Sequence, residues 1–219
     1  MTRETAKRVA WGTLGAGWVL MVGLGIAGPM SLLFPLWIFT SLFREQLEDI
    51  FAHLPGSTGF LAAGIAYGML IEIFAIVNSL DQPVEERVLL DGNPKNDLIL
   101  GLLYYAFVIG CWYFLLRRVQ FSAKEVFLIT GVYGIVVEET GQVVLRMLAQ
   151  PVTGTLYAIL VMFVYGLFPM LALIVTGKRF PANRQESSVG MYALAVVALF
   201  GQYALYGNTV YPVLKAMLH

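Results

Sequence analysis

Charge is what this sequence has little of. Asp, Glu, Lys and Arg make up 13% of its 219 residues, against about 25% in soluble domains. Fourteen basic side chains balance fourteen acidic ones. No basic patch carries interleaved aromatics, so nucleic acid is not an expected partner. Cysteine occurs once, as Cys111 inside an apolar run. An internal disulfide is therefore excluded, and the residue reads as a small packing group. Histidine occurs twice, at His53 and at the terminal His219. That excludes a pair of membrane histidines for haem or a histidine-ligated metal, so no cofactor and no metal are expected.

Apolar residues are what it has in abundance, 58% of the chain with a mean hydropathy of +0.75. About 20 apolar residues carry a helix across a bilayer. Apolar segments run over 9–28, 30–43, 58–80, 98–116, 123–149, 152–176 and 189–211. The sequence thus predicts an all-α, polytopic transmembrane helical bundle with six to seven spans. It forms a single integral membrane domain over 1–219, because no low-complexity stretch or long linker divides it.

The first segment is preceded by Arg3, Lys7 and Arg8, as in a signal peptide. No small-x-small cleavage site closes a short apolar core, so it reads as a retained span. Gly28-Pro29 interrupts it, since proline breaks an interior helix. Segment 30–43 is short, and whether it spans or lies at the interface stays open. It runs into 44–51, where Leu47, Ile50, Phe51 and Leu54 share one face, a pattern for an interfacial helix.

Charge separates six crossings from seven. If 9–43 is a hairpin, Arg3, Lys7, Arg8, Arg44, Arg117, Arg118, Lys124, Lys178, Arg179 and Arg184 share one side. Arg87, Lys95 and Lys215 lie opposite. The positive-inside rule favours that arrangement, with the N-terminus cytoplasmic in a cell (plasma) membrane. The 81–97 loop, acidic through Asp81, Glu85, Glu86, Asp91 and Asp97, would face outward. Ser122-Ala123-Lys124-Glu125 predicts a capping box at the start of the 123–149 helix. Gln150-Pro151 predicts a tight turn after it.

Two stretches echo each other. Tyr67-Gly68-Met69-Leu70-Ile71-Glu72 matches Tyr133-Gly134-Ile135-Val136-Val137-Glu138. Leu80-Asp81-Gln82-Pro83-Val84 then matches Leu148-Ala149-Gln150-Pro151-Val152. This predicts a parallel internal repeat of a two-helix unit, 58–118 and 124–176. A third, degenerate unit would have Ala204 where the glutamate falls.

Glu72 and Glu138 lie at similar depth, about 22 Å along parallel helices at 1.5 Å per residue. A charge at the bilayer centre costs at least about 2.5–3.5 kcal/mol, so such groups face the bundle interior, pair or protonate. Gly64, Gly68, Ala75 and Ser79 share the Glu72 face; Gly131, Gly134 and Gly141 share that of Glu138. Small residues of this kind mark packing faces. Glu139 points elsewhere on the helix, toward Gln142 and Arg146, and Arg146 is placed to neutralise it in part, through a relay or water. Two carboxylates in one dry site cannot both ionise cheaply.

The predicted catalytic set is Glu72, Glu138 and Glu139. Tyr104, Tyr105, Gln142, Arg146, Gln202 and Tyr203 are the candidate substrate-binding groups. Tyr67 and Tyr133, five residues before each glutamate, read as packing residues.

Glu138-Glu139 resembles the paired glutamates of intramembrane CAAX-type proteases. That family's arginine, four residues after the second glutamate, is Val143 here, and its histidine motifs are missing. Pro83-Val84-Glu85-Glu86 resembles the Pro-x-Glu-Glu of membrane lycopene cyclases over those four residues only. Neither resemblance assigns a family. The best reading is a membrane-embedded enzyme or binding protein for a lipidic or isoprenoid-like substrate, with glutamates as acid/base or cation-stabilising groups. The alternatives are a small proton- or cation-coupled transporter and a structural subunit of a membrane complex. Expected partners are membrane lipid and either a hydrophobic small molecule or a proton or cation.

Overall fold

The computed structural model describes residues 3–54, 57–84, 87 and 89–218. Over these residues the fold is all-α apart from one short strand pair. α1 (Arg3–Gly23) leads through Gly25, at φ 70°, and a 3-10 turn (Pro29–Leu32) into α2 (Leu33–Leu42). Gly12 lies against Leu42, Gly15 against Phe39, and the Trp18 ring against Phe34. These pairs run in opposite order along the two helices, so α1 and α2 form an antiparallel hairpin. The amphipathic α3 (Arg44–Ala52) follows.

The body of the bundle comprises α4 (Thr58–Ser79), α5 (Pro94–Leu116), α6 (Ala123–Val137), α7 (Gln142–Ala149), α8 (Pro151–Thr176), α9 (Val189–Leu205) and α10 (Tyr211–Leu218). Among the described residues, five helical stretches are long and apolar enough to cross a membrane: Thr58–Ser79, Pro94–Leu116, Ala123–Ala149, Pro151–Arg179 and Val189–Leu218. The α1–α2 hairpin lies outside that set.

α8 is the central element. It packs on α6, α4 and α7, with α2 and α3 at its flank, and buries Leu167, Phe168, Leu171 and Ala172 completely. α4 pairs with α5, and α9 leans on both α5 and α6. Hydrocarbon gives apolar helices no net drive to associate, so close approach at small residues matters more. A Cβ on Gly64 would overlap Ile109; one on Gly131 would overlap Met162. Each glycine therefore sets the contact distance of a helix pair.

The basic loops gather at one end. β1 (Val119–Gln120) and β2 (Gln185–Glu186) pair in parallel there. The capping box forms: Ser122 N donates to Glu125 Oε2 at 2.6 Å and Glu125 N to Ser122 Oγ at 3.3 Å. Lys178 Nζ and Arg44 Nε both donate to Glu48 at 2.7 Å, and Arg179 Nη1 donates to the Leu54 carbonyl at 3.1 Å. α3 is thus tied to the end of α8.

Burial pushes the Glu48 carboxyl up, but the hydrogen bonds from Lys178 and Arg44 outweigh it and hold it below its ordinary value. A lowered carboxylate stabilises fully above its unfolded value of about 4.3. That contribution is lost as pH falls through the lower, folded value. A spin label at Ile50→Cys, on a Cys111→Ser background, is expected to gain mobility between pH 6 and pH 3. Unchanged mobility would contradict the anchoring role.

Three helix boundaries depart from the apolarity pattern. α5 starts at Pro94, not 98, because Asn93 Oδ1 caps it (Lys95 N at 3.0 Å) and proline suits the first helical position. The last helix runs to Leu218, beyond 211, through a π turn at Tyr206–Val210. Pro212 lacks an N–H and its ring crowds the preceding turn, which accounts for the widening.

The third departure matters most. The expected continuous helix over 123–149 is broken. α6 ends at Val137, and a 3-10 turn (Glu138–Gly141) intervenes before α7. Glu139 (φ 47°), Thr140 (φ 55°) and Gly141 (φ 90°) are all left-handed. The expectation that Gly141 shares a helical face with Glu138 is therefore wrong. Left-handed backbone at a β-branched residue costs of order 1–3 kcal/mol and clusters at functional sites. Gly141→Ala is expected to destabilise the protein by about 1–2 kcal/mol, read as a lowered Tm in detergent. An unchanged or raised Tm would show that the turn relaxes.

Candidate functional site

Each glutamate of the echoed motif meets a tyrosine from the helix packed against it. Tyr105 of α5 donates to Glu72 Oε2 at 2.6 Å, and Tyr165 of α8 donates to Glu138 Oε2 at 2.5 Å. The glycine four residues before each acid makes room for that tyrosine. A Cβ on Gly68 would overlap the Tyr105 ring, and one on Gly134 the Tyr165 ring. In Gly-x-x-x-Glu the two positions lie one helical turn apart on one face. The glycine seats the ring, and the acid receives its hydroxyl.

The halves also differ. α4 continues past Glu72 for seven residues to Ser79, whereas Glu138 is the residue at which α6 stops. Glu72 is 8% exposed, and Glu138 is only partly buried.

Both carboxyls line one cavity of about 740 Å³. Seven tyrosines join them: Tyr104, Tyr105, Tyr157, Tyr165, Tyr203, Tyr206 and Tyr211. Apolar wall comes from Ile71, Val137, Leu160, Val161, Val164 and Phe168. The lining follows α4 through Ala75, Asn78 and Ser79 to Gln82 and Arg87. The cavity therefore lies toward the end of the bundle away from the basic loops. The other end is filled by Phe60 and Trp112, both fully buried.

Glu139 and Thr140 also line the cavity. Glu139 is neutralised directly: Arg146 Nη2 lies 2.6 Å from its Oε2, and Tyr157 donates to its Oε1 at 3.1 Å. The Arg146 guanidinium stacks over the Tyr157 ring, 5.1 Å from its centre. Glu138 has no such cation beside it among the described residues. The strained turn thus aims adjacent acids at different partners, one ionic and one phenolic.

The predicted binding residues divide. Tyr104, Tyr105 and Tyr203 line the cavity. Gln142 and Arg146 do not, and both are exposed, because the break at 138–141 turns α7 away from the line of α6. Gln202 is buried behind the wall, where its Nε2 donates to Tyr133 OH at 3.0 Å. Tyr133 OH also meets Tyr104 OH at 3.2 Å, and Thr40 Oγ1 donates to Tyr67 OH at 3.2 Å. The two motif tyrosines are thus polar cross-ties between helices, beyond the packing role expected of them.

One acidic residue escaped sequence reasoning. Asp97, grouped above with an outward-facing loop, sits in the first turn of α5 with no exposed surface; Asp91 is 6% exposed. Asp97 Oδ1 accepts from Asp91 N at 3.1 Å, while Oδ2 has no donor among the described residues. The Glu72 side chain lies one turn along the same α5 face: a Cβ on Gly101, four residues after Asp97, would come 3.2 Å from Glu72 Cγ and 3.3 Å from its carboxyl carbon. The signal was available: Asn93-Pro94 is a helix start, and Asp97, Gly101 and Tyr105 then fall at i, i+4 and i+8 on one face of α5.

No group of three His, Cys, Asp or Glu side chains suited to holding a metal occurs among the described residues. Fold and site define a helical bundle of membrane-compatible composition around a tyrosine-lined acidic cavity. Comparison with protein-family models, with curated proteins and with solved structures found no match.

Proposed function

We propose that the chain is a membrane-embedded enzyme or binding protein for a lipidic or isoprenoid-like substrate held in the cavity of Glu72 and Glu138. The observation that carries this reading is the cavity's composition. Two acids with no cation paired to them among the described residues face a space walled by aliphatic residues and tyrosine rings, with Arg87 further along the lining. Apolar wall suits a hydrocarbon chain, as in most small-molecule sites. Tyrosine faces attract positive charge, and the carboxyls supply a proton or stabilise a cationic centre. The closed, aromatic-filled end beyond Trp112 and Phe60 favours a one-sided pocket over a conduit, which places the proton- or cation-coupled transporter second.

The same reading takes Gly-x-x-x-Glu with its tyrosine as the unit of an internal repeat, so that the cavity is shared by two related halves. It also sets the chain in a cell membrane with the N-terminus and basic loops cytoplasmic. The antiparallel α1–α2 pairing is what supports that orientation, since it returns the chain to its starting side.

Organic extraction of the purified protein, followed by mass spectrometry, tests the proposal. A lipidic compound is expected at near one equivalent in the wild type. It should be lost in Ala75→Trp, which fills the cavity. Equal lipid in both, or none above detergent background in either, would overturn the reading. Proton uptake by proteoliposomes driven by an imposed gradient would favour the transporter instead.

A further inference from the structure

We infer that Glu72 and Asp97 form a one-proton carboxyl pair, in which Glu72 exchanges the proton with the cavity and Asp97 holds the balancing negative charge. The pair shares Glu72 with the Glu72–Glu138 cavity and adds Asp97 behind it, and it stands whether or not the cavity's ligand is lipidic.

The argument starts from hydrogen-bond capacity. An ionised carboxylate only accepts; a protonated one also donates once. As two anions, Glu72 and Asp97 would present buried acceptors to each other and leave Asp97 Oδ2 without a donor. Such orphaned buried groups are rare and costly. With one proton on Glu72, its hydroxyl can donate across Gly101 to the unpartnered Asp97 Oδ2, while Glu72 Oε2 accepts from Tyr105. Asp97 Oδ1 already accepts the Asp91 N–H. Every oxygen of both groups then has a partner.

The location of charge and proton follows from the surroundings. Asp97 lies in the first turn of α5, where the positive end of the helix dipole favours an anion. Glu72 lines the cavity and Asp97 does not. The exchangeable proton is therefore on the group that a ligand reaches. Asp97 is a positioning residue, which acts through Glu72. Gly101, between Asp97 and Tyr105 on the α5 face, leaves the room in which the Glu72 side chain lies; a Cβ there would come 3.2 Å from Glu72 Cγ.

Dicyclohexylcarbodiimide, which adds only to a protonated carboxyl and takes up its proton, reads the pair without a known substrate. An ordinary glutamate has only about one molecule in 5,000 protonated at pH 8, from a reference value near 4.3. Peptide mapping of the folded wild type at pH 8 is expected to show Glu72 or Asp97 modified, and never both in one molecule. Asp97→Asn places an amide donor beside Glu72, which then no longer needs the proton. Glu72 modification should fall at least about tenfold.

Two results would overturn the pair: no modification of either residue in the wild type, or undiminished Glu72 modification in Asp97→Asn. If Asp97→Asn does not fold, the wild-type pattern decides alone. Loss of bound lipid in Ala75→Trp bears on the proposed function and leaves this result untouched.

Discussion

Glu72→Ala is expected to destabilise the protein by about 3–5 kcal/mol, whereas Glu72→Gln should cost less than about 1 kcal/mol. Removing one member of a buried charged pair strands the other. Here the stranded group is Asp97, which has no exposed surface and, among the described residues, only the Asp91 N–H as a donor. Alanine also leaves Tyr105 OH, buried in the bundle, without its acceptor. Glutamine keeps the shape. Its N–H₂ can donate to Asp97 and its carbonyl can accept from Tyr105, as the protonated acid does.

The two variants therefore separate scaffold from chemistry. Glutamine restores the hydrogen bonds but has no proton to give, so ligand turnover or proton exchange should be lost in a folded protein. Thermal unfolding in detergent with both variants checks this. Equal destabilisation by Ala and Gln would mean that the site does not depend on the hydrogen bonds described.

Gly68→Ala and Gly134→Ala are expected each to destabilise by about 1–3 kcal/mol, the usual cost of overpacking. Each added methyl falls inside the ring of Tyr105 or Tyr165, so the tyrosine must leave its glutamate. Alanine is otherwise the better helix former by about 1 kcal/mol. Gly110 and Gly201 serve as controls, since nothing lies within 4 Å of a Cβ at either. Gly110→Ala and Gly201→Ala should be neutral or stabilising. Similar losses at 68 and 134, against gains at 110 and 201, would mark the two motif copies as equivalent seats for a tyrosine. Loss at only one of them would count against the repeat.

The apolar helices were legible in the sequence because they depend on local composition; for Glu139 and Arg146 the sequence suggested only a partial, relayed neutralisation. Hydropathy marks long helices regardless of tertiary context. Glu139 and Arg146 meet directly because the break at 138–141 takes them off a single straight helix, on which i and i+7 lie two turns apart.

What was not legible depends on three dimensions. The left-handed run at 139–141 includes glutamate and threonine, residues that give no local sign of such a backbone. Asp97 looked like a loop acid because apolarity alone does not register a helix start. Its burial follows from the docking of α5 against Glu72 of α4. The tyrosine partners sit 33 and 27 residues beyond their glutamates, so no fixed spacing announces them.

A cryo-electron microscopy map of the chain in a lipid nanodisc tests the central claim most directly. It should place the Glu72 and Glu138 carboxyls on one cavity within the bilayer, capped by Tyr105 and Tyr165, with elongated density between them. Either carboxyl facing lipid, or the two on separate faces of the bundle, would contradict the shared site and the function proposed for it.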